Sequence, residues 1–364
     1  MVTDHLDKRG FRPDYAVPPG DTLAEALEAL GMSQAELAQR LAVSAKHVSE
    51  LVNAKTPLTA EMALKLESAT GVPASLWANL ESRYREHLAR QNRLATVGAH
   101  LDWAKRFPLA FLRRQGAIAA SARSPAVVVE LCQFFGVATP ESWDDYYATA
   151  EVCFRTSTKL KPDRFATASW LRLSHVRAQA IVTAPFDPNR FHVGLSAIRA
   201  LTNEPPEQFV PTMSQLCAGA GVAFVLLPAP DGCRASGAVM WLRHDKALLA
   251  LSLRHKTDDH FWFSFFHEAK HVLEHDREAV ILDTPGAGGD DDPREARANV
   301  FASEALIPPI HAARLKGLTS AAAVKSFATE IGIAPGIVVG QLQHSKHISF
   351  SQMNELKRKF VWAE

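Results

Sequence analysis

Residues 263–275 read FSFFHEAKHVLEH. An aromatic run leads directly into His267, Glu268 and His271. On an α-helix, positions i and i+4 project from one face a turn apart. His267 and His271 can therefore meet one tetrahedral Zn²⁺, while Glu268 holds the water that the metal activates. The aromatic residues before the motif drive this helix into a core, where two imidazoles and a carboxylate without partners would be costly. A metal ion would satisfy them.

A catalytic zinc takes three protein ligands and leaves a fourth position open. Downstream, residues 293–309 read PREARANVFASEALIPP. A helix is expected from Arg294, with Asp292 as N-cap and Pro293 near the first turn. Glu295 and Asn299 then stand at i, i+4, and the small Ala296, Ala298 and Ala302 let this helix pack closely against the first. Glu295 is the choice for third ligand, against the plainer reading of a carboxylate favoured by the helix dipole. Asn299 would orient a ligand histidine and fix its tautomer. Asp283, Glu304 and His275 remain rivals for the third position, with His275 rotated about 40° further around the helix. None of the four cysteines lies in this constellation, which argues against a structural site closed by four ligands.

FFHEAKHVLEH followed by EARANVFASEALIP resembles the ImmA/IrrE family of metallopeptidases, and the apolar hairpin containing Trp241 fits the same family. The similarity spans about residues 200–310. It implies His267 and His271 as zinc ligands, Glu268 as catalytic base and Glu295 as third ligand. It further implies a narrow regulatory endopeptidase acting on a protein such as a repressor. Lys270 and Arg297 depart from the pattern: the family usually has a glycine at the first position and often an acidic residue at the second.

Upstream of the motif, GVAFVLLP reads as a strand, and SGAVMWL and KALLALSL as a β-hairpin. Helices are expected over 164–184 and from Pro206 to about Gly219, and another ends at Gly136. Residues 90–160 otherwise say little. Near the N-terminus, SQAELAQRLA opens with a Ser33-x-x-Glu36 capping box. A three-residue break and SAKHVSELVNA follow, then a helix from Thr59 to Gly71. Two short helices joined by so tight a turn are the helix-turn-helix pattern. The second helix would lie in the major groove of double-stranded operator DNA. Ser44 and Gln34 would hold phosphate, Ala45, Lys46 and Glu50 would lie near bases, and His47, Ser49 and Asn53 would assist. Val43, Val48 and Leu51 belong inside. Residues 18–90 resemble HigA-type antitoxins of the Xre-like helix-turn-helix group, with Ala42 where the turn often has glycine.

The chain of 364 residues carries a net charge of +1, which excludes a broadly basic nucleic-acid wrapper but leaves room for a small reading head. No apolar run reaches the about 18 residues of a membrane helix. The cysteines form no CxxC pair and no signal peptide is legible, so a cytoplasmic protein with reduced thiols is expected. The fold class is α+β, mainly α: an arm (1–17), an all-α helix-turn-helix domain (18–90), a helical connecting region (91–200), a zincin-like metallopeptidase domain with a small β-sheet (201–310) and a C-terminal helical region (311–364). The expected function is a DNA-binding regulator, a homodimer on a palindrome, fused to a zinc endopeptidase. Its protein substrate would be a repressor, a toxin–antitoxin partner or the chain itself. The alternative is a non-catalytic repressor or antitoxin whose second part senses a metal, ligand or partner.

Overall fold

The computed structural model describes residues 16–151, 163–254, 256–274, 281–283 and 293–362, with the backbone alone at 148–151 and 281–283. Residues 1–15 of the expected arm, Cys153, His255, His275, Asp292 and the Gly/Asp loop at 284–292 lie outside the described residues. The chain divides into two compact units, Met1–Ala99 and His100–Glu364.

The first unit holds five helices: α1 (Pro19–Ala29), α2 (Gln34–Leu41), α3 (Ala45–Val52), α4 (Ala60–Thr70) and α5 (Ala74–Val97). Their starts are set by side-chain caps. Ser33 Oγ accepts from the Glu36 N–H, Ser44 Oγ from His47 and Thr59 Oγ1 from Met62, each at 3.1–3.2 Å. The capping box is formed in half, because the Glu36 carboxylate accepts from Arg40 at 2.6 Å. Leu23, Leu37, Val48, Leu66 and Trp77 meet in the centre, each fully buried. Helix α5 runs unbroken past residue 90 to Val97.

The second unit opens with α6 (Leu101–Ala104), α7 (Leu109–Arg114), α8 (Ala126–Phe135), α9 (Pro140–Glu151), α10 (Arg164–Ala180), α11 (Pro188–Ala200) and α12 (Pro206–Gly219). The strands β1 (Val222–Leu226), β2 (Gly237–Arg243) and β3 (Lys246–Leu251) follow, then α13 (Asp258–Glu274), β4 (Ile281–Asp283) and α14 (Pro293–Leu306). Helices α15 (Pro309–Ala312), α16 (Ala321–Ile331) and α17 (Pro335–His344) complete it. The sheet has the order β1-β3-β2-β4. β1 runs parallel to β3, and β2 is antiparallel to both β3 and β4. Every residue of β3 is buried, as a central strand covered on both faces requires. Val222, Phe224, Val239, Leu249 and Leu251 share one core with α13, whereas α10 covers the opposite face and its Trp170 Nε1–H donates to Leu227 O at 3.1 Å.

Helix α13 is the centre of this unit. Phe261, Trp262, Phe265, Phe266, Ala269 and Val272 are buried along it. Helix α17 lies so close that a Cβ at Gly336 would stand 2.3 Å from Asp258 Oδ1. The start of α13 is also tied to residues 357–360. Asp258 N–H donates to Arg358 O at 2.9 Å, and Phe360 N–H to Lys256 O at 2.8 Å. The Arg358 side chain reaches Asp258 at 3.4 Å, the carbonyls of Asn203 and Glu204 at 3.0 and 3.1 Å, and that of Thr202.

The expected divisions at 90/91, 200/201 and 310/311 are therefore not those of the structure. Phe191 and Leu195 from α11 and Val324, Phe327, Ile337, Val338 and Leu342 from α16 and α17 lie in the same core as the sheet. Neither flanking region buries its apolar face alone, so both fold onto the centre. The segment GIAPGIVVGQLQ is packing. No single described helix is long and apolar enough to cross a membrane; α16 and α17 reach that length only together, across a 114° bend.

Candidate functional sites

In the first unit the turn between α2 and α3 is built on Ala42, which takes a left-handed conformation (φ 56°, ψ 45°). The Val43 N–H reaches back to Ala38 O at 3.0 Å, closing α2 as a Schellman-type end, and Val43 packs on the core. Val48 and Leu51 pin α3 inward. Ala45, Lys46 and Asn53 are exposed, and His47, Ser49 and Glu50 half-buried. Lys46 and Glu50 face each other at 3.7 Å. Ser44 spends a lone pair on the cap and keeps its O–H for an outside acceptor. Asn53 caps the end of α3, donating to Ser49 O at 2.7 Å. Its amide is thus engaged within the helix rather than turned wholly outward. Gln34 is exposed in the first turn of α2.

In the second unit α13 and α14 bring three ligand-type side chains together. His267 and His271, both under 4 % exposed, face each other with Nε2 atoms 3.2 Å apart. Glu295 on α14 closes the triangle, Oε2 standing 3.2 Å from His267 Nε2 and Oε1 3.4 Å from His271 Nε2. The two histidines hold the Glu295 carboxyl well below the usual carboxylate range, His267 most strongly, against the opposing effect of burial. His267 Nδ1–H donates to Asn299 Oδ1 at 3.0 Å, which leaves the Nε2 lone pair pointing into the triangle. His271 Nδ1 is buried with no hydrogen-bond partner among the described residues. Glu268 is fully buried beside β2, where a Cβ on Gly237 would lie 2.4 Å from its Oε1. The lack of a side chain at 237 is what gives this carboxylate room.

Among the rivals, Glu304 is exposed and stands apart from the triangle, and for Asp283 only the backbone is described. Lys270 and Arg297 do not enter the triangle either. Both turn to Glu274, Lys270 Nζ at 3.4 Å and Arg297 Nε at 2.8 Å, and Lys270 lies over the Phe301 ring. Burial raises the Glu274 pKa, but Arg297 and Lys270 outweigh it and the net shift is downward. This clamp joins the helices that carry the triangle. Its partner Glu274 escaped the sequence reading, although its i+4 spacing from Lys270 is visible there.

Residues 23–77 match the helix-turn-helix family. Over 66 residues the chain is 35 % identical to the uncharacterized HTH-type transcriptional regulator YddM of Escherichia coli (strain K12), covering 18 % of this chain and 70 % of that protein. Virulence-associated protein I of Dichelobacter nodosus is 34 % identical over 79 residues, 21 % of this chain and 73 % of that one. Among solved structures, the Pseudomonas aeruginosa antitoxin HigA with higBA promoter is 32 % identical, covering 22 % of this chain and 87 % of that one, with a TM-score of 0.21. The HigA-family antidote protein of Coxiella burnetii is 32 % identical over 24 % of this chain and 92 % of that one, TM-score 0.22. Through its N-terminal unit the chain belongs to the helix-turn-helix family.

Proposed function

We propose that this helix-turn-helix regulator carries a zinc-dependent endopeptidase as its second unit, which cleaves a specific regulatory protein. The single observation that supports it most is the spacing of the His267–His271–Glu295 triangle. Ligands about 2.0–2.1 Å from a tetrahedral zinc stand about 3.3 Å from one another. The three donor separations here are 3.2, 3.2 and 3.4 Å. Two buried imidazole nitrogens and a partly buried carboxylate converging on one point are a donor set that suits a divalent cation.

His267, His271 and Glu295 would hold the ion, with Asn299 fixing the His267 tautomer. A bound zinc supplies an acidified water and polarises a carbonyl. Glu268, one residue from the first ligand, takes the proton of the attacking water as its oxygen bonds to the scissile carbonyl carbon. It returns that proton to the amine nitrogen as the C–N bond breaks. The first unit would bind operator DNA through the exposed face of α3, as a dimer on a palindromic site.

The test is elemental analysis of the purified chain beside His267→Ala and Glu295→Ala. About one zinc per chain, lost in both variants, is expected from a three-ligand site. A wild-type chain that stays metal-free after purification with zinc supplied sinks the peptidase reading and leaves a DNA-binding regulator with a sensing domain. Cleavage of a partner protein by the wild type and not by Glu268→Gln, at equal metal content, would complete the assignment.

A further inference from the structure

A second polar cleft lies along α13 and reaches Ser264, one turn before Glu268. It is lined by Ser236, Arg254, Lys256, His260, Phe261 and Ser264, among others, and opens to solvent. His260, Ser264 and Glu268 stand at successive i+4 positions on α13, so the cleft continues the row that ends at the candidate base. Ser236 lies immediately before β2, next to Gly237, the residue that abuts the Glu268 carboxylate. An extended peptide laid across Glu268 would run into it.

Its chemistry is one-sided. Arg254 and Lys256 are exposed, and neither has a carboxylate partner among the described residues; Arg254 Nη1 donates to the Arg234 carbonyl at 2.5 Å. The two acids at the start of α13 are already taken, Asp258 by Arg358 and Asp259 by Lys357 at 2.6 Å. Ser236 is 6 % exposed, and its Oγ has no hydrogen-bond partner among the described residues. Its neighbours have spent their own polar groups on one another, Ser252 Oγ donating to Ala235 O at 2.6 Å and Ser252 N–H to Ser236 O at 2.9 Å. A buried hydroxyl left unmatched has lost its water for nothing unless a ligand returns a bond. Two unpaired cations at the mouth and one free hydroxyl inside fit a carboxylate.

We propose that this cleft binds a carboxylate of the peptide lying across Glu268, so that the substrate is acidic beside the scissile bond. The inference rests on the peptidase reading for the word substrate, but the carboxylate site stands on its own geometry. The test uses the full-length, metal-free chain, so that a carboxylate cannot bind through zinc. Calorimetric titration compares acetylated, amidated Ala-Ala-Glu-Ala-Ala with its Gln counterpart and with acetyl-Ala-Ala-Gln bearing a free C-terminal carboxylate. The Glu peptide is expected to bind about tenfold tighter than the Gln peptide, as one charge-assisted contact provides. The preference should fall to within about twofold in Arg254→Gln/Lys256→Gln, whose melting temperature should match wild type because both residues are on the surface. Ser236→Ala should lower it by a smaller factor. Tightest binding of the free-carboxylate peptide would identify the C-terminus as the source of the anion. Equal affinity for all three peptides, or a preference that survives the double variant, overturns the proposal. Carboxylate-selective binding together with a zinc-loaded chain that cleaves none of the peptides and no partner protein would sink the peptidase reading and leave the cleft as assigned.

Discussion

The two units keep their polar residues in opposite places. Among the described residues of the first, Glu81 is the only charged one that is buried, and what faces solvent on α3 is what would meet DNA. In the second, Lys246, Asp258, Asp259, His267, Glu268 and His271 are all buried. A reading head can be stable and functional at once, since its function lies on the outside of a finished core. A site made of interior ionisable groups draws on the same free energy as the fold. The second unit therefore surrounds α13 with compensating partners: Arg358, Lys357, Asn299 and the Glu274 clamp.

The contrast can be broken by changing one interior group at a time. Glu268→Gln should lower cleavage about 10²–10⁴-fold, the usual contribution of a general base, with metal content and melting temperature nearly unchanged. A variant that keeps full activity removes Glu268 from the chemistry. In the first unit Leu37→Ala should cost about 2–5 kcal/mol in denaturant unfolding of residues 16–99, because the side chain is fully buried at the helix junction. The metal content of the full chain should not change. A loss of metal in that variant would end the separation between the units.

The interior charges should also announce themselves through pH. Burial pushes Asp258 up to about 6 from a usual 3.8; Arg358 lowers it and Asp259 raises it. The folded chain then holds a proton that the unfolded chain releases between those values. The stability contributed by this group is fully present below about pH 4 and is lost as pH rises through 6. Relative to Asp258→Asn, wild-type stability should fall by about 2–3 kcal/mol from pH 4 to pH 7. A flat difference between the two would show that Arg358 fully compensates the charge. Asn299→Ala should weaken zinc binding about 10–100-fold, measured by chelator competition, without abolishing it. The smallest effect belongs to the surface turn. Ala42→Gly should leave DNA affinity unchanged and stabilise the first unit by up to about 1 kcal/mol, since glycine avoids the left-handed penalty at some cost in unfolded-state entropy.

What the sequence disclosed follows the range of the interactions involved. The caps at Ser33 and Thr59, the left-handed Gly71 and Gly136, the β2–β3 hairpin and the end of α12 are set by residues within a few positions of one another, and all are found. The pairing of His267 with His271 is equally local. Glu295 and Asn299 required a contact between two helices, suggested by the small residues on α14. Apart from α8, the helices of 100–151 stayed hidden because aromatic contacts across α6 to α10 organise them: Trp103, Phe107, Phe135, Trp143 and Phe165 interlock edge to face, tilted or stacked. No periodicity announces such a cluster. The parallel β1–β3 pairing and the absorption of α16 and α17 into the main core were hidden for the same reason. The cleft at Ser236 is assembled from the residue before β2, the end of β3, the segment between β3 and α13, and α13 itself, and no stretch of sequence contains it.

The strap around the start of α13 has a consequence in time. Arg358 bonds carbonyls 154 to 156 residues earlier in the chain. Closing so long a loop costs about 4 kcal/mol of chain entropy before any contact repays it. On the ribosome, α13 will have been made while the residues that secure its first turn are still untranslated. The helix-turn-helix unit, by contrast, closes within its first hundred residues. The nascent chain thus passes through a stage in which the helix-turn-helix unit is complete and the helix bearing His267 and His271 is still unlatched, so the first unit is finished before the His267–His271–Glu295 triangle is.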